Sequence, residues 1–304
     1  MPENALEKKA FPGRKKEQAY KKTDSASRIR AMIVKILIYA SIIFTIAMLI
    51  LVIGQVSLRG ISHLSPEIFS LKWTTENQSM VPAIWNTLEL VFLTMLLTIP
   101  FGIATAIYTV EYAPPGSQFV KIARLMTETL QGIPSILFGL FGMIFFVNKI
   151  GWGNSIIAGS LTMWFMTLPL LIRSTEEALL AVPNRLREAS YGLGAGKLRT
   201  TFNVVLPAAS MGIFSGIILA IGRIFGETAA LLYTAGSMSQ YASPGMNGRT
   251  LSIHMYLLQT EGVFKDQAYA TAFILLLVVL VINSCSTLIE NRYKKKELGN
   301  DGKN

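Results

Sequence analysis

The chain has 304 residues, 51% hydrophobic and 15% charged, with mean hydropathy +0.45 and formal net charge +10. A soluble domain carries about 25% charged residues, so the composition excludes an ordinary water-soluble domain and indicates a solvent that is partly lipid. The positive charge gathers at the two ends and in internal loops, which is a pattern of membrane topology, and no nucleic-acid partner is expected.

Residues 1–30 are polar and basic, with Lys8, Lys9, Lys15, Lys16, Lys21, Lys22, Arg28 and Arg30. They lack the apolar residues to build a core and are expected to be a disordered tail. The apolar run that follows, within 31–57, is too long for a signal-peptide core and reads as a retained anchor helix. Residues 58–83 form a loop. A core membrane domain then extends over 84–288, and 289–304 is a second basic tail.

A helix needs about 20 apolar residues to cross a hydrocarbon core of about 30 Å. Six segments meet or approach that length: 33–56, 85–110, 132–148, 154–173, 208–235 and 268–288. They are continuous rather than alternating, so they are helices and not barrel strands. The third opens on Gly132-Ile133-Pro134-Ser135, where the proline predicts a kinked or partly unwound entry. The expected fold is an all-α membrane protein with six transmembrane helices. With six spans both termini share one side. Placing them in the cytoplasm leaves 22 of the 28 Lys and Arg residues inside, in agreement with the positive-inside rule. The expected location is therefore the inner, or cytoplasmic, membrane.

Motifs for chemistry are few. One cysteine, Cys285, allows no internal disulfide framework, and His63 and His254 lie in separate loops and read as surface side chains. The sequence contains no P-loop, nucleophile elbow or zinc motif, so no catalytic residue and no metal site is assigned. Trp85, Trp152 and Tyr112 suit the interfacial belts, and Glu89 lies near the outer end of span two.

The loop 174–207 between spans four and five is long for a helix hairpin. It contains a helix start after Pro183, a glycine-rich turn at Gly192–Gly196, and a second short helix ending at Pro207, where span five begins. Within it, Glu188-Ala189-Ser190, then Gly194, then Val204-Val205-Leu206-Pro207 resemble the EAA loop of ABC importer permeases in spacing throughout. Ser190 and Val204 are mild departures from that pattern. The resemblance implies that this loop docks on an ATPase subunit. Glu188 is expected to cap or pair within the loop, Gly194 to supply a turn at positive φ, and Pro207 to set off the following helix.

Three further stretches are similar to the phosphate-specific branch, and more to its PstA type than to its PstC type. They are Gly132-Ile133-Pro134-Ser135, the segment from Arg223 through Gly226-Glu227-Thr228-Ala229, and the arginine-bearing end of span four at Arg173. The resemblance implies a type I ABC importer permease fold and movement of inorganic phosphate by alternating access. It also implies a PstC-like second permease, a PstB-like pair of ATPase subunits binding ATP and magnesium, and a PstS-like external phosphate-binding protein, all around a chain bathed in membrane lipid. No bond chemistry is expected of this chain.

Read from the residues alone, Arg223 and Glu227 lie about sixteen and twenty residues beyond Pro207, or roughly 24–30 Å along a helix. An intramembrane charge is a functional-site hypothesis by default, and a spacing of four puts both on one helix face. A guanidinium matches phosphate oxygens, and a nearby carboxylate would keep an anion from being held too tightly. The rival is a buried pair with no solute contact. Arg173 is the third pathway candidate, with snorkelling at a helix end as its rival. For the whole chain the rivals are a permease for another oxyanion, molybdate or sulfate, and a membrane sensor or scaffold of the same fold.

Overall fold

The computed structural model describes residues 25–301, with side chains described as far as Leu288. Most of the basic tail falls at positions 1–24, outside the described residues. The chain divides into two units, ending and starting at Gln55 and Val56.

Helix α1 (Ser25–Ser62) is continuous and carries the first apolar run. Its large side chains, among them Phe44, Ile50 and Leu51, are exposed. A helix that is apolar all round and exposed has lipid or another chain as its solvent.

The second unit is a helical bundle. Helix α2 (Val81–Ile107) ends in a wider, π-helical turn at Tyr108–Tyr112. A proline-broken pair follows, α3 (Gln118–Gly132) and α4 (Ser135–Gly142), the latter extended by a π-helical turn to Lys149. Then come α5 (Ile156–Leu180), the short α6 (Asn184–Gly192) and α7 (Lys197–Thr200), which leads through Thr201–Val205 into α8 (Leu206–Gly226). The chain closes with α9 (Ala229–Thr234), α10 (Leu251–Glu261) and α11 (Lys265–Asp301). Among the described residues five helices are long and apolar enough to cross a membrane, or six if the bent pair α3–α4 counts as one span.

Helix α5 is the centre, with α2, α3, α4, α8 and α9 packed on it. The packing is of the kind that works in lipid, where small and hydroxyl side chains let helices approach and bond. On α2 the residues turned to α5 include Thr94 and Thr98. Thr94 Oγ1 donates to the Ser160 carbonyl at 3.2 Å, and the Thr98 and Thr167 hydroxyls lie 3.2 Å apart. Trp85, Phe92 and Leu96 of α2 are exposed, which suits lipid. Gly216 of α8 lies so close to Ser174 of α5 that an added Cβ would collide.

The third span is broken as its proline predicts. Steric conflict with the proline ring drives the preceding residue to extended backbone; Ile133 has φ −74° and ψ 130°, and the helices on either side meet at 100°. The polar stretch before it, outside the six apolar segments, is an amphipathic helix: α3 exposes Phe119, Ile122, Leu125 and Met126 along one side.

The fifth span departs further from expectation. The continuous run 208–235 is two helices. Helix α8 stops at Gly226, Glu227 is extended (φ −76°, ψ 127°), and α9 restarts at Ala229. The Glu227 carboxylate accepts from the Ala230 amide at 3.1 Å. A side chain that captures a backbone donor in this way competes with helix continuation and favours a new helix start. Pro207 behaves differently. It is the second residue of α8, where a helix tolerates proline, as expected, but the helix before it does not stop: one helical path runs from Lys197 to Gly226. The widened turn before it, with the Leu206 amide on the Thr201 carbonyl, relieves the clash that a proline makes in a regular helix.

The segment 236–267, between the fifth and sixth apolar runs, folds back onto the bundle. Asn86 of α2 is fully buried and binds it by three bonds. Its Nδ2 donates to the carbonyls of Gln240 (2.9 Å) and Arg249 (3.1 Å), and its Oδ1 accepts from the Ala242 amide (2.9 Å). Thr87 accepts from the Leu251 amide at 2.8 Å, fixing the start of α10.

Candidate functional site: the loop at the α5–α6 end and the charges of the bundle

The loop between α5 and α8 lies at the end of the bundle where α2 and α5 finish and α8 begins. A core cluster of Ala106, Ile107, Leu179, Val182, Val205, Ala209 and Ile213 closes this end. The last turns of α5 carry it seven residues past the expected boundary at 173. After Pro183 the helix α6 runs for nine residues, none of them buried. Gly194 has φ +82°, the left-handed conformation the turn needs, with its amide on the Tyr191 carbonyl at 2.9 Å. Ser190 and Thr200 hydroxyls meet at 2.9 Å across the turn.

The expected loop residues therefore separate into two groups. Val205 is buried, Val204 and Leu206 are half-buried, and together they seat the start of α8. Glu188 and Ala189 are exposed. Glu188 does not cap or pair as expected; among the described residues its carboxylate makes no hydrogen bond or ion pair. Leu193 at the tip is 90% exposed, and Tyr191 and Leu198 are exposed beside it. A carboxylate and apolar side chains on this turn form a surface that the described residues leave uncovered.

The three charge candidates do not form one cluster. Among the described residues none is hydrogen-bonded or ion-paired to another. Arg173 donates to Glu177 one turn on, at 3.1 Å, and the two side chains are 54% and 68% exposed. Glu227 caps α9, and its carbonyl accepts from Ser252 at 2.6 Å. Arg223 is half-buried in the last turn of α8 without a partner among the described residues. The one-face pairing of Arg223 with Glu227 fails because the helix ends between them.

Several polar groups were not singled out from the sequence. Arg187 of α6 pairs with Glu111, on the π-helical turn that ends α2, at 2.7 Å, with side chains 14% and 5% exposed. Arg124 of α3 lies 3.4 Å from Glu176 of α5. The signal available was a lone acid or base near each span end; which of them meet, across 76 residues for Arg187 and Glu111, is a matter of packing.

A second group lies at the opposite end. Arg249, 5% exposed, stacks over the Trp73 ring at 5.5 Å. Burial brings its pKa down to about 10, against the opposing charge of Glu261. His254 of α10, outside the spans, is fully buried and not the surface side chain expected. Burial first, then the Arg249 charge, holds its imidazole at about 3, with the Gln78 backbone opposing. The group is therefore neutral in the folded chain where an unfolded chain would bind a proton, between about pH 6.5 and 3. Stability should fall as pH drops through that window, by up to about 1.4 kcal/mol per pH unit. His254→Phe should flatten this slope in thermal melts of the purified protein between pH 7 and 4; an unchanged slope would show that His254 does not carry it.

A bundle of long apolar helices around a central helix, one span broken at a proline and another at Glu227, with an exposed loop at one end, defines the class as a multi-pass membrane protein. Residues 98–295 match the family described as binding-protein-dependent transport system inner membrane component, and the chain belongs to that family. It is 33% identical over 277 residues to the probable ABC transporter permease protein YqgI of Bacillus subtilis, covering 84% of this chain and 92% of that one. It is 33% identical over 225 residues to the phosphate transport system permease protein PstA of Mycobacterium leprae, covering 69% and 73%. A crystal structure of a bacterial alginate ABC transporter, in complex with an alginate-bound periplasmic protein, contains a chain of the same fold. The match has TM-score 0.64 at 17% identity and covers 88% of this chain and 96% of that one.

Proposed function

We propose that the chain is the membrane-spanning permease subunit of an ATP-driven importer of inorganic phosphate, of the PstA type. The observation that supports it best is the α6 loop. It is an exposed helix and glycine turn built onto the ends of α5 and α8, in a chain that resembles phosphate permeases over most of its length. In this reading Glu188, Ala189 and the tip at Leu193 face an ATPase subunit, while Val204, Leu206 and Pro207 seat the loop on α8. A PstC-like permease completes the pathway, two PstB-like subunits bind ATP and magnesium, and a PstS-like protein delivers phosphate from outside. The loop end is cytoplasmic, as the distribution of Lys and Arg supports.

Closure of the ATPases would push the loop, and the bundle would turn from outward-open to inward-open as packed helices slide and hinge. The breaks at Pro134 and Glu227 divide two spans into rigid halves where such motion can concentrate. Arg223, half-buried and unpaired among the described residues, is the pathway residue this reading favours, because a permanent charge without a carboxylate partner can attract a passing oxyanion. Glu227 then acts on the backbone of the break, and Arg173 holds its own helix turn.

The test is uptake by the reconstituted complex of this chain with its partners. ATP-dependent accumulation of labelled phosphate is expected, with little competition from molybdate or sulfate. Stronger competition from either would transfer the reading to that oxyanion. Normal membrane insertion without ATP-dependent movement of any of the three would favour the sensor or scaffold.

A further inference from the structure

Helix α6 buries none of its nine residues, so apolar contacts do not anchor it, and a helix this short is marginal on its own. Polar ties hold it instead, and most of them come from one side chain. Arg187 Nε and Nη2 donate to the same Glu111 oxygen at 3.1 and 2.7 Å. Nη2 also reaches the Leu179 carbonyl at 2.9 Å, and Nη1 reaches the Val182 carbonyl at 2.8 Å and Asn184 Oδ1 at 3.3 Å. The guanidinium thus caps the end of α5 and binds the end of α2 in one planar group.

From Glu111 the connection continues. Two residues earlier on the same π-helical turn, Thr109 donates to Glu176 Oε1 of α5, and Glu176 Oε2 lies 3.4 Å from Arg124 Nε of α3. Helix α3 is the arm that meets α4 at the proline break. The Arg187–Glu111 pair is largely withdrawn from water, so screening weakens it little, and a rigid guanidinium with several bonds fixes direction as well as distance.

We propose that Arg187 and Glu111 are the positioning pair that passes displacement of α6 into α2, and through Thr109, Glu176 and Arg124 into the α3–α4 arm. The inference rests on the reading of α6 as the ATPase-facing element. It adds a second route beside the covalent one through α7 into α8: push on α6 moves both sides of the central helix α5 together.

The experiment uses the full reconstituted complex and compares Arg187→Gln, Glu111→Gln, their double variant, and the milder Arg187→Lys and Glu111→Asp. The readout is phosphate moved per ATP hydrolysed, beside the stimulation of hydrolysis by phosphate-loaded binding protein. The glutamine variants should hydrolyse ATP yet lose about fivefold or more of the transport ratio, and the double variant should be no worse than the poorer single one. The milder variants should fall between these and the wild type, and they carry the same test if the glutamine variants fail to assemble. A purely structural pair would lower uptake and hydrolysis in proportion through fewer intact complexes; an unchanged ratio would overturn the proposal. A wild-type complex that moves no phosphate would count against the substrate reading, while stimulation of hydrolysis by the binding protein would still report on the pair.

Discussion

Gly194→Val is expected to reduce phosphate uptake by about tenfold or more while leaving the chain in the membrane. The residue sits at φ +82° with open space where a Cβ would stand, so the penalty is conformational and not steric crowding. An L-residue in that region costs roughly 1–2 kcal/mol, and a β-branched one more. At about 2 kcal/mol the turn shifts some thirtyfold toward other conformations. The tip at Leu193 and the Ser190–Thr200 contact then lose their fixed places. Asparagine tolerates the left-handed region, so Gly194→Asn should keep most of the uptake. Co-purification of the ATPase subunit and uptake per assembled complex are the measurements. Equal behaviour of the valine and asparagine variants would show that the backbone conformation at 194 is not what docking needs.

Arg223→Gln is expected to cut uptake by about tenfold or more in complexes that still assemble. The side chain is half-buried in the last turn of α8, with no carboxylate holding it among the described residues. Its removal strands no buried partner, so folding should change little. Glu227→Gln makes the contrast. A glutamine oxygen can still accept from the Ala230 amide, so the cap should survive; Glu227→Ala should lose it at a cost of about 1 kcal/mol. Because Arg223 and Glu227 are not paired, the double glutamine variant should transport no better than Arg223→Gln alone. Recovery of uptake in the double variant would mean that the two charges balance each other in the working complex and that Arg223 has no role of its own toward phosphate.

The sequence carried the class of the molecule, because lipid imposes length and apolarity on every span and the composition records it directly. It also carried the break at Ile133–Pro134 and the left-handed turn at Gly194, since proline geometry and glycine freedom are local properties. It did not carry the break at Glu227. The run 208–235 is apolar enough on both sides of Gly226-Glu227-Thr228 to read as one span, and the interruption depends on a carboxylate turning back to the Ala230 amide and on Ser252 reaching the Glu227 carbonyl from a distant segment. Nor could it show that the helical path before Pro207 continues into α8 without a break, which the widened turn there permits. Hydropathy likewise gave no reason to fold 236–267 onto the bundle; Asn86 and Thr87 hold that segment through partners more than 150 residues away. The same division separates the two readings of the loop. Its spacing was legible in the chain, but the tie that seats α6, Arg187 on Glu111, joins residues whose periodicities are independent. Their meeting is decided by the packing of α2 against α5, because a buried charge must find its counter-charge wherever the fold has placed one.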